Sequence, residues 1–365
     1  MTNEAEALGR LRKDIDRIDS EIHRLLNERA KCAQQVAEVK QAASNGEEVQ
    51  YYRPEREAQV LRSVMERNEG PLPDEDVAKL FREVMSCCLA LERPLKVAYL
   101  GPEGTFTHAA ALKHFGHFVK AEPLSAIDEV FREVESGQVN YGIVPVENST
   151  EGIVNHTLDS FIDSPLFIAG EVKLRIHHNL LSGTETKLEN VTRVYAHQQA
   201  LAQCRKWLDS HCPQVERIAV SSNGKAAKLA AEEPGVAAIA SDMAAELYDL
   251  DFLAKNVEDS PDNTTRFLII GSEVVPASGE DKTSIMVSVK DKPGALYHVL
   301  EPFQRHGVNM NRLESRPSNS STWAYVFYID FDGHFDDENV QAVIKDISPD
   351  AVDIKHLGSY PVGVL

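Results

Sequence analysis

The sequence predicts a multidomain protein with an all-helical N-terminal region, a central α/β region and a small ferredoxin-like α+β domain at the end. Three observations carry that expectation. Apolar residues first recur at alternating steps of three and four. Short β-rich runs then alternate with helical ones, and last comes the order strand, helix, strand, strand, helix, strand. A chain of 365 residues has room for two or three such domains, each with its own core.

The first region keeps one rhythm through Leu8, Leu11, Ile15, Ile18, Ile22, Leu25, Arg29, Cys32, Val36 and Val39. This is the seam of a long helix packed on other helices. The loop chemistry of "SNGEEVQYYRP" ends it. A second helix is expected over residues 54–67, "GPLPDED" breaks it, and a third is expected over 76–91. Arg29 occupies a seam position, where a buried guanidinium requires an anion. Lys40 lies eleven residues on, about three turns along nearly the same face. Arg12 flanks the seam, Arg56 and Glu57 open the second helix, and Cys88 and Glu92 share a face at i, i+4. Singly, each is what a coiled coil with flanking salt bridges would carry. Together, the cations suit a small polyanionic ligand.

From residue 96 to 271 the runs "KVAYLG", "YGIVPV", "LFIAGEV", "TRVYAH", "RIAVSS", "VAAIAS" and "FLIIG" read as strands between helices. The expectation is α/β architecture with a largely parallel sheet. Polar groups gather where these strands end. "VAYLGPEGTFTHAAAL" sets Thr105, Phe106 and Thr107 at a helix N-terminus, where free N–H groups and the dipole favour anions. No Gly-Lys-Ser/Thr follows, so it is not a Walker A loop. "YGIVPVENSTEG" places Glu147, Asn148 and Ser149 after a strand, and "VYAHQQALAQC" places His197 and Gln199 at another strand-to-helix turn. "SPDNTTRFLIIG" sets Asn263, Thr264, Thr265 and Arg266 against Phe267 and an apolar run. Ligands of open α/β sheets bind at such strand ends or in crevices between lobes. His177 and His178 in "RIHHNLLSG" read as facing opposite sides of a strand, with no carboxylate or cysteine at ligand spacing.

"SEVVPASGEDK" reads as a linker, and residues 283–362 as the ferredoxin-like domain, with "SIMVSVK" first and "WAYVFYIDF" as its central partner. "DKPGALYHVL" joins a strand to a helix through Pro293-Gly294, and "GVNMNRLESRP" leads into the next strand.

Composition narrows the function classes. A formal net charge of −19 argues against nucleic acid, which selects basic surfaces. No apolar run approaches a membrane span, and "MTNEAEALGRL" has neither the basic start nor the apolar core of a signal peptide. The five cysteines, with Cys87 beside Cys88, form no C-x-x-C pair and fit reduced thiols in a cytoplasm.

"LRKDIDRIDSEIHRLLNERAKCAQQVAEVK" followed by "RPERE" resembles the all-helical chorismate mutases, which form an intertwined dimer. That resemblance implies rearrangement of chorismate to prephenate, at a site built from Arg12 of the partner subunit with Arg29, Lys40, Arg53, Arg56, Glu57, Cys88 and Glu92. Arg53 stands where the best-known pattern has an acidic residue, and Glu92 where it has glutamine. "GPEGTFTHAA", "PVENSTEG" and "TRF" as a set resemble prephenate dehydratase, whose fold is two α/β lobes around a cleft, similar to periplasmic binding proteins. The implied reaction removes carbon dioxide and the ring hydroxyl from prephenate to give phenylpyruvate. Thr265 then assists the leaving hydroxyl, with Arg266 supplying charge or orienting a carboxylate. Thr105, Thr107, Asn148 and Ser149 are the expected carboxylate donors. Gln198 replaces a proline common in that family.

The two motifs after residue 290 resemble those of the regulatory ACT domain. The resemblance implies phenylalanine as effector, held by Gly294, Ala295 and Leu296 on one side and by Asn309, Asn311, Glu314, Ser315 and Arg316 on the other. The whole then reads as a bifunctional mutase and dehydratase with domains over 1–92, 95–272 and 283–362, inhibited by phenylalanine. It would be cytoplasmic and at least a homodimer, and would use no cofactor or metal. Two other readings stay open at this stage: a receptor that binds an aromatic acid without turnover, and a dehydratase whose N-terminal helices only dimerise.

Overall fold

The computed structural model describes residues 2–43, 51–183, 186–317 and 325–365. The N-terminal region is helical: α1 (Thr2–Ala43), α2 (Pro54–Glu66) and α3 (Asp74–Glu92). Pro54 starts α2 at a position where its missing N–H costs nothing. Helix α2 packs on α3, and α1 meets α3. The apolar seam of α1 is not covered by either. Leu8, Leu11, Ile15, Ile18, Ile22 and Leu25 are all exposed, Leu11 by 58%.

The first α/β lobe comprises β1 (Lys96–Leu100), α4 (Phe106–Phe115), β2 (Lys120–Leu124), α5 (Ile127–Glu135), β3 (Tyr141–Asn148), β4 (Gly152–Ile153), α6 (Asn155–Asp163) and β5 (Phe167–Arg175). The second comprises β6 (Asn179–Ser182), β7 (Arg193–His197), α7 (Gln198–Gln203), α8 (Arg205–His211), β8 (Glu216–Val220), α9 (Asn223–Glu232), β9 (Val236–Ala240), α10 (Asp242–Tyr248) and β10 (Asp251–Ala254). Strand β11 (Thr264–Gly271) then returns to the first lobe, between β3 and β5. The expected largely parallel sheet is therefore two mixed ones. The first runs β2-β1-β3-β11-β5, parallel among β2, β1 and β3 but antiparallel around β11. The second runs β10-β6-β9-β7-β8, parallel only among β9, β7 and β8. A strand that re-enters from the other lobe arrives from the opposite end, so β11 must run antiparallel.

The last domain has the expected order: β12 (Asp281–Val289), α11 (Ala295–Arg305), β13 (Met310–Pro317), β14 (Tyr325–Asp332), α12 (Glu338–Ile347) and β15 (Ala351–Pro361). Its antiparallel sheet runs β13-β14-β12-β15. Trp323 and Ala324 of "WAYVFYIDF" lie outside the described residues.

The domains share cores. Met286, Val326, Tyr328, Leu357 and Tyr360 of the last domain pack with Val144, Ile168, Leu268 and Ile270 of the first lobe. Strand β15 crosses β5 so closely that a Cβ on Gly358 would lie 2.3 Å from the Ile168 carbonyl oxygen. Gly358 also has φ of +143°, which disfavours any other residue there. Tyr52, just before α2, is buried in the first lobe against Phe115 and Tyr141, with ring centroids 5.2 and 5.4 Å away. Among the described residues no helix is long and apolar enough to cross a membrane, and no cluster of His, Cys, Asp and Glu could hold a metal ion.

Candidate active sites

Between the two α/β lobes lies a cleft of about 580 Å³, lined among others by Thr105, Phe106, Thr107, Asn148, His197, Gln199, Thr265 and Phe267. The strand ends named from the sequence thus converge. Thr265 sits at the start of β11 directly opposite Asn148 at the end of β3. Asn148 Oδ1 accepts the backbone N–H groups of Thr150 (2.9 Å) and Glu151 (3.0 Å), which fixes the amide. Its Nδ2 therefore donates to Thr265 Oγ1 and to Asn263 Oδ1, both at 2.8 Å. An oxygen that already accepts keeps its own hydrogen available, so Thr265 is set up as a donor.

A network the sequence reading missed lies behind this pair. Asn263 Nδ2 donates to Gln203 Oε1 at 3.1 Å, and Gln203 Nε2 donates to Glu151 Oε1 at 3.2 Å. Since Gln203 Oε1 also faces His178 Nε2 at 2.8 Å, that nitrogen carries the hydrogen. His178 Nδ1 is then an acceptor, buried and without a hydrogen-bond partner among the described residues. Burial lowers the imidazole's pKa more than Gln203 and Glu258 raise it, which keeps it neutral. Gln199 and Gln203 share a helix face at i, i+4, and that spacing was the signal for Gln203. His178 is not on a strand as expected but in the connection between β5 and β6. His177 Nδ1 and the His178 N–H both reach Glu258, at 2.9 Å each.

Other expected residues have structural duties. Thr105 caps α4, accepting from the His108 N–H at 3.4 Å, while its hydroxyl donates to the Pro102 carbonyl at 2.9 Å. His197 caps α7 through Nδ1. Ser149 and Thr264 tie the ends of β3 and β11 together: the Ser149 N–H donates to the Thr264 carbonyl and the Thr264 N–H to Ser149 Oγ. Neither residue, nor Glu147, lines the cleft.

Arg266 requires a correction. Side chains alternate along a strand, so with Thr265 and Phe267 toward the cleft, Arg266 points to the other face. There it is buried and donates to Glu171 (2.8 Å), Asp330 (2.6 Å) and the Tyr360 hydroxyl (2.9 Å). Burial opposes its charge, but Tyr360, Asp330 and Glu171 outweigh burial and hold the guanidinium ionised. It cannot touch a ligand in the cleft.

In the helical region Arg29, Lys40 and Glu92 come together. Burial raises the Glu92 carboxyl above its ordinary range, against the opposing pull of Lys40 and Arg29. Cys88 is buried one turn earlier on α3. Arg12, Arg53 and Arg56 are exposed, and Arg53 reaches Glu55 at 3.3 Å.

Glu57 also departs from expectation. It lies about 100° around α2 from Arg56, on the side that Ala58 and Leu61 bury. It pairs there with Arg82 at 3.3 Å, and Arg82 donates to the Lys113 carbonyl at 2.8 Å. Burial pushes the Glu57 carboxyl up to about 7, with Arg82 pulling it down. His114 faces the same small cavity, bonded to the Tyr52 hydroxyl at 3.2 Å, and burial drives its imidazole down to about 3. Glu57 thus belongs to the junction between the helices and the first lobe.

In the last domain Gly294 takes φ of +82° at the turn that opens α11, followed by Ala295 and a partly exposed Leu296. Along β13 exposure alternates: Asn311 and Ser315 face outward, Glu314 and Arg316 inward. Asn309 and Asn311 donate to Asp332 at 2.9 and 2.6 Å, which lowers that carboxyl's pKa. Arg316 grips Asp159 of α6 at 2.7 Å.

Comparison with known proteins identifies the three parts of the chain. Residues 11–93 match the family model of chorismate mutase type II, 97–274 that of prephenate dehydratase, and 283–349 that of the ACT domain. The chain is 60% identical over 361 residues to the bifunctional chorismate mutase/prephenate dehydratase of Pseudomonas aeruginosa, covering 99% of each. It is 47% identical to the protein of that name from Aquifex aeolicus, again covering 99% of each. A crystal structure of prephenate dehydratase in complex with L-Phe from Arthrobacter aurescens superposes with a TM-score of 0.68 at 33% identity, covering 73% of this chain and 90% of that one. With its helical, two-lobed α/β and ferredoxin-like parts in place, the chain belongs to the family of bifunctional chorismate mutase/prephenate dehydratases.

Proposed function

We propose how the two activities of the family are carried out on this chain, with domains over 1–92, 95–272 and 283–362. The observation that carries the dehydratase reading is the Asn148–Thr265 hydrogen bond at the cleft wall. Thr265 donates to the ring hydroxyl of prephenate as it leaves, and Asn148 stabilises the charge that develops on Oγ. Carbon dioxide departs in the same event, and aromatisation drives it. Thr107, His197 and Gln199 contact the substrate's carboxylates and carbonyl, and Phe106 and Phe267 flank its ring.

For the mutase, Arg29 and Lys40 hold the two carboxylates of chorismate and fix its compact conformer. Glu92, protonated, donates to the ether oxygen as that bond breaks. Arg12 of a second subunit completes this site, with Arg53 and Arg56 at its mouth. The exposed seam of α1 supports that assembly, because an apolar stripe so long is an interface rather than a solvated surface. The protein is a cytoplasmic homodimer, and phenylalanine binds its last domain and inhibits the dehydratase. The L-Phe complex of the Arthrobacter relative supports this choice of effector.

One experiment tests the whole reading. Purified protein is supplied with chorismate, and phenylpyruvate is followed with and without phenylalanine. Phenylpyruvate that forms and falls on adding phenylalanine is expected. Prephenate that accumulates unchanged would sink the dehydratase assignment, and a phenylalanine-indifferent rate would sink the effector.

A further inference from the structure

The last domain touches the dehydratase lobe beside its catalytic pair. Asn148 and Thr265 are cross-strand partners on β3 and β11, and the next rung of that ladder is Glu147 opposite Arg266. Neighbouring rungs face opposite sides of a sheet. The Asn148–Thr265 rung lines the cleft, whereas Glu147 and Arg266 reach the last domain.

Both contacts are ionic. Arg266 joins Asp330 of β14 at 2.6 Å and Glu171 of β5 at 2.8 Å, while Lys282 of β12 reaches the same Glu171 at 2.6 Å. Ser284 Oγ donates to Asp330 Oδ1 at 2.6 Å and stands 2.9 Å from the Tyr360 hydroxyl, which closes the cluster. On the other strand, Arg312 Nε lies 3.7 Å from Glu147 and 3.6 Å from Glu314. Its Nε and Nη2 are buried with no hydrogen-bond partner among the described residues, so this arginine is shared between two carboxylates and settled on neither.

We infer that Glu147 and Arg266 are positioning residues that carry the state of the regulatory domain to Asn148 and Thr265. The inference rests on the reading that an amino acid binds that domain. An amino acid brings an ammonium group, and Glu314 is the carboxylate in the expected effector set. Engaging Glu314 leaves Arg312 with Glu147 alone and draws the end of β3 toward the last domain. Arg266 anchors β11 to that domain meanwhile, so the two strand ends shift relative to each other. The bond between Asn148 and Thr265 is sensitive to small displacements, because hydrogen-bond strength falls steeply with angle and reacting groups tolerate little misplacement.

The test uses the full chain and three variants on the regulatory side: Asp330→Asn, Arg312→Gln and the double variant. Phenylalanine binding is measured by calorimetry, and both activities are followed with and without phenylalanine. Asp330→Asn and Arg312→Gln should each bind phenylalanine much as the parent does. At saturating phenylalanine each should keep about tenfold more dehydratase turnover than the parent keeps, a usual size for a coupling between sites. The change should appear in kcat for prephenate rather than KM, and mutase turnover should not move. Retained binding tells a folded, uncoupled variant from a disrupted one, and Arg312→Gln leaves the buried cluster intact should Asp330→Asn disturb it. Inhibition of all three variants to the parent's extent would overturn the inference. So would lost inhibition that tracks lost binding. If the parent itself neither binds nor responds to phenylalanine, the effector reading falls and the inference falls with it.

Discussion

The two reaction sites are built on opposite plans. The proposed dehydratase cleft is assembled within one chain, with Thr265, the proposed donor, held by a network running through Asn148, Asn263 and Gln203 to His178. The proposed mutase site gathers Arg29, Lys40 and Glu92 beside a seam of exposed leucines and isoleucines, with its other proposed arginines on open faces. A concerted rearrangement needs only restraint and charge, which a second subunit can supply. Expelling hydroxide needs an oriented proton donor, and orientation is easier to keep inside one rigid lobe pair. The difference suggests that dilution and interface damage reach the first activity before the second.

The largest effect that would break this contrast is at Thr265. Thr265→Ala should lower dehydratase turnover by about 10²–10⁴-fold, the usual worth of a positioned acid. Chorismate consumption should be unchanged, and parallel loss of both activities would show the sites to be coupled. Arg29→Ala should cost the mutase about 10²–10³-fold, the scale of one lost charge-stabilising group. Turnover of supplied prephenate by that variant should match the parent. Ile18→Asp sharpens the point: sedimentation should show a weaker dimer and mutase activity should drop with it, while the dehydratase persists.

A smaller effect concerns acidity at Glu92. Its pKa is raised, so the donating protonated form survives to higher pH than an ordinary carboxyl would allow, and is lost as pH rises through that value. Mutase rate should therefore decline with rising pH, and Glu92→Gln should flatten the profile while keeping appreciable activity. A flat parent profile would place Glu92 outside the chemistry. The smallest effect belongs to Glu57. Its folded pKa of about 7 exceeds the ordinary value, so the folded state binds more protons than the unfolded one between the two. The stability it contributes is full below the ordinary carboxyl pKa and is lost as pH rises through about 7. His114, lowered to about 3, acts the other way up to its ordinary pKa, so the Glu57 signature should stand clear near neutrality. Thermal melts across that range should fall for the parent and stay level for Glu57→Gln.

What the sequence made legible was local. The helical rhythm, the order of the last domain and the strand ends bearing Thr105, Asn148, His197 and Thr265 all rest on residues close together in the chain. Arg266 was misread because sequence adjacency to Thr265 hides the alternation that turns it away, and its partners Glu171 and Asp330 lie far off in sequence. Glu57 was misread for a related reason: its partner Arg82 sits on another helix and its neighbour His114 in another domain. The link from His178 through Gln203 to Asn263 joins three separate segments, and only Gln203's spacing from Gln199 gave any hint of it. The direction of β11 could not be read from composition at all, since it depends on which lobe the chain comes back from.

The close crossing at Gly358 bears on how such chains can be recombined. Exchanging the last domain between relatives at the linker around residues 272–280 would leave β15 of one protein on β5 of another. Any side chain at that position would strike the Ile168 backbone, and a shift of register would move the Tyr360 hydroxyl away from Arg266. A chimera should therefore keep this glycine and its facing strand from a single parent. Mutational drift on either surface is constrained by the other, so the two domains form one unit of inheritance although the linker suggests two.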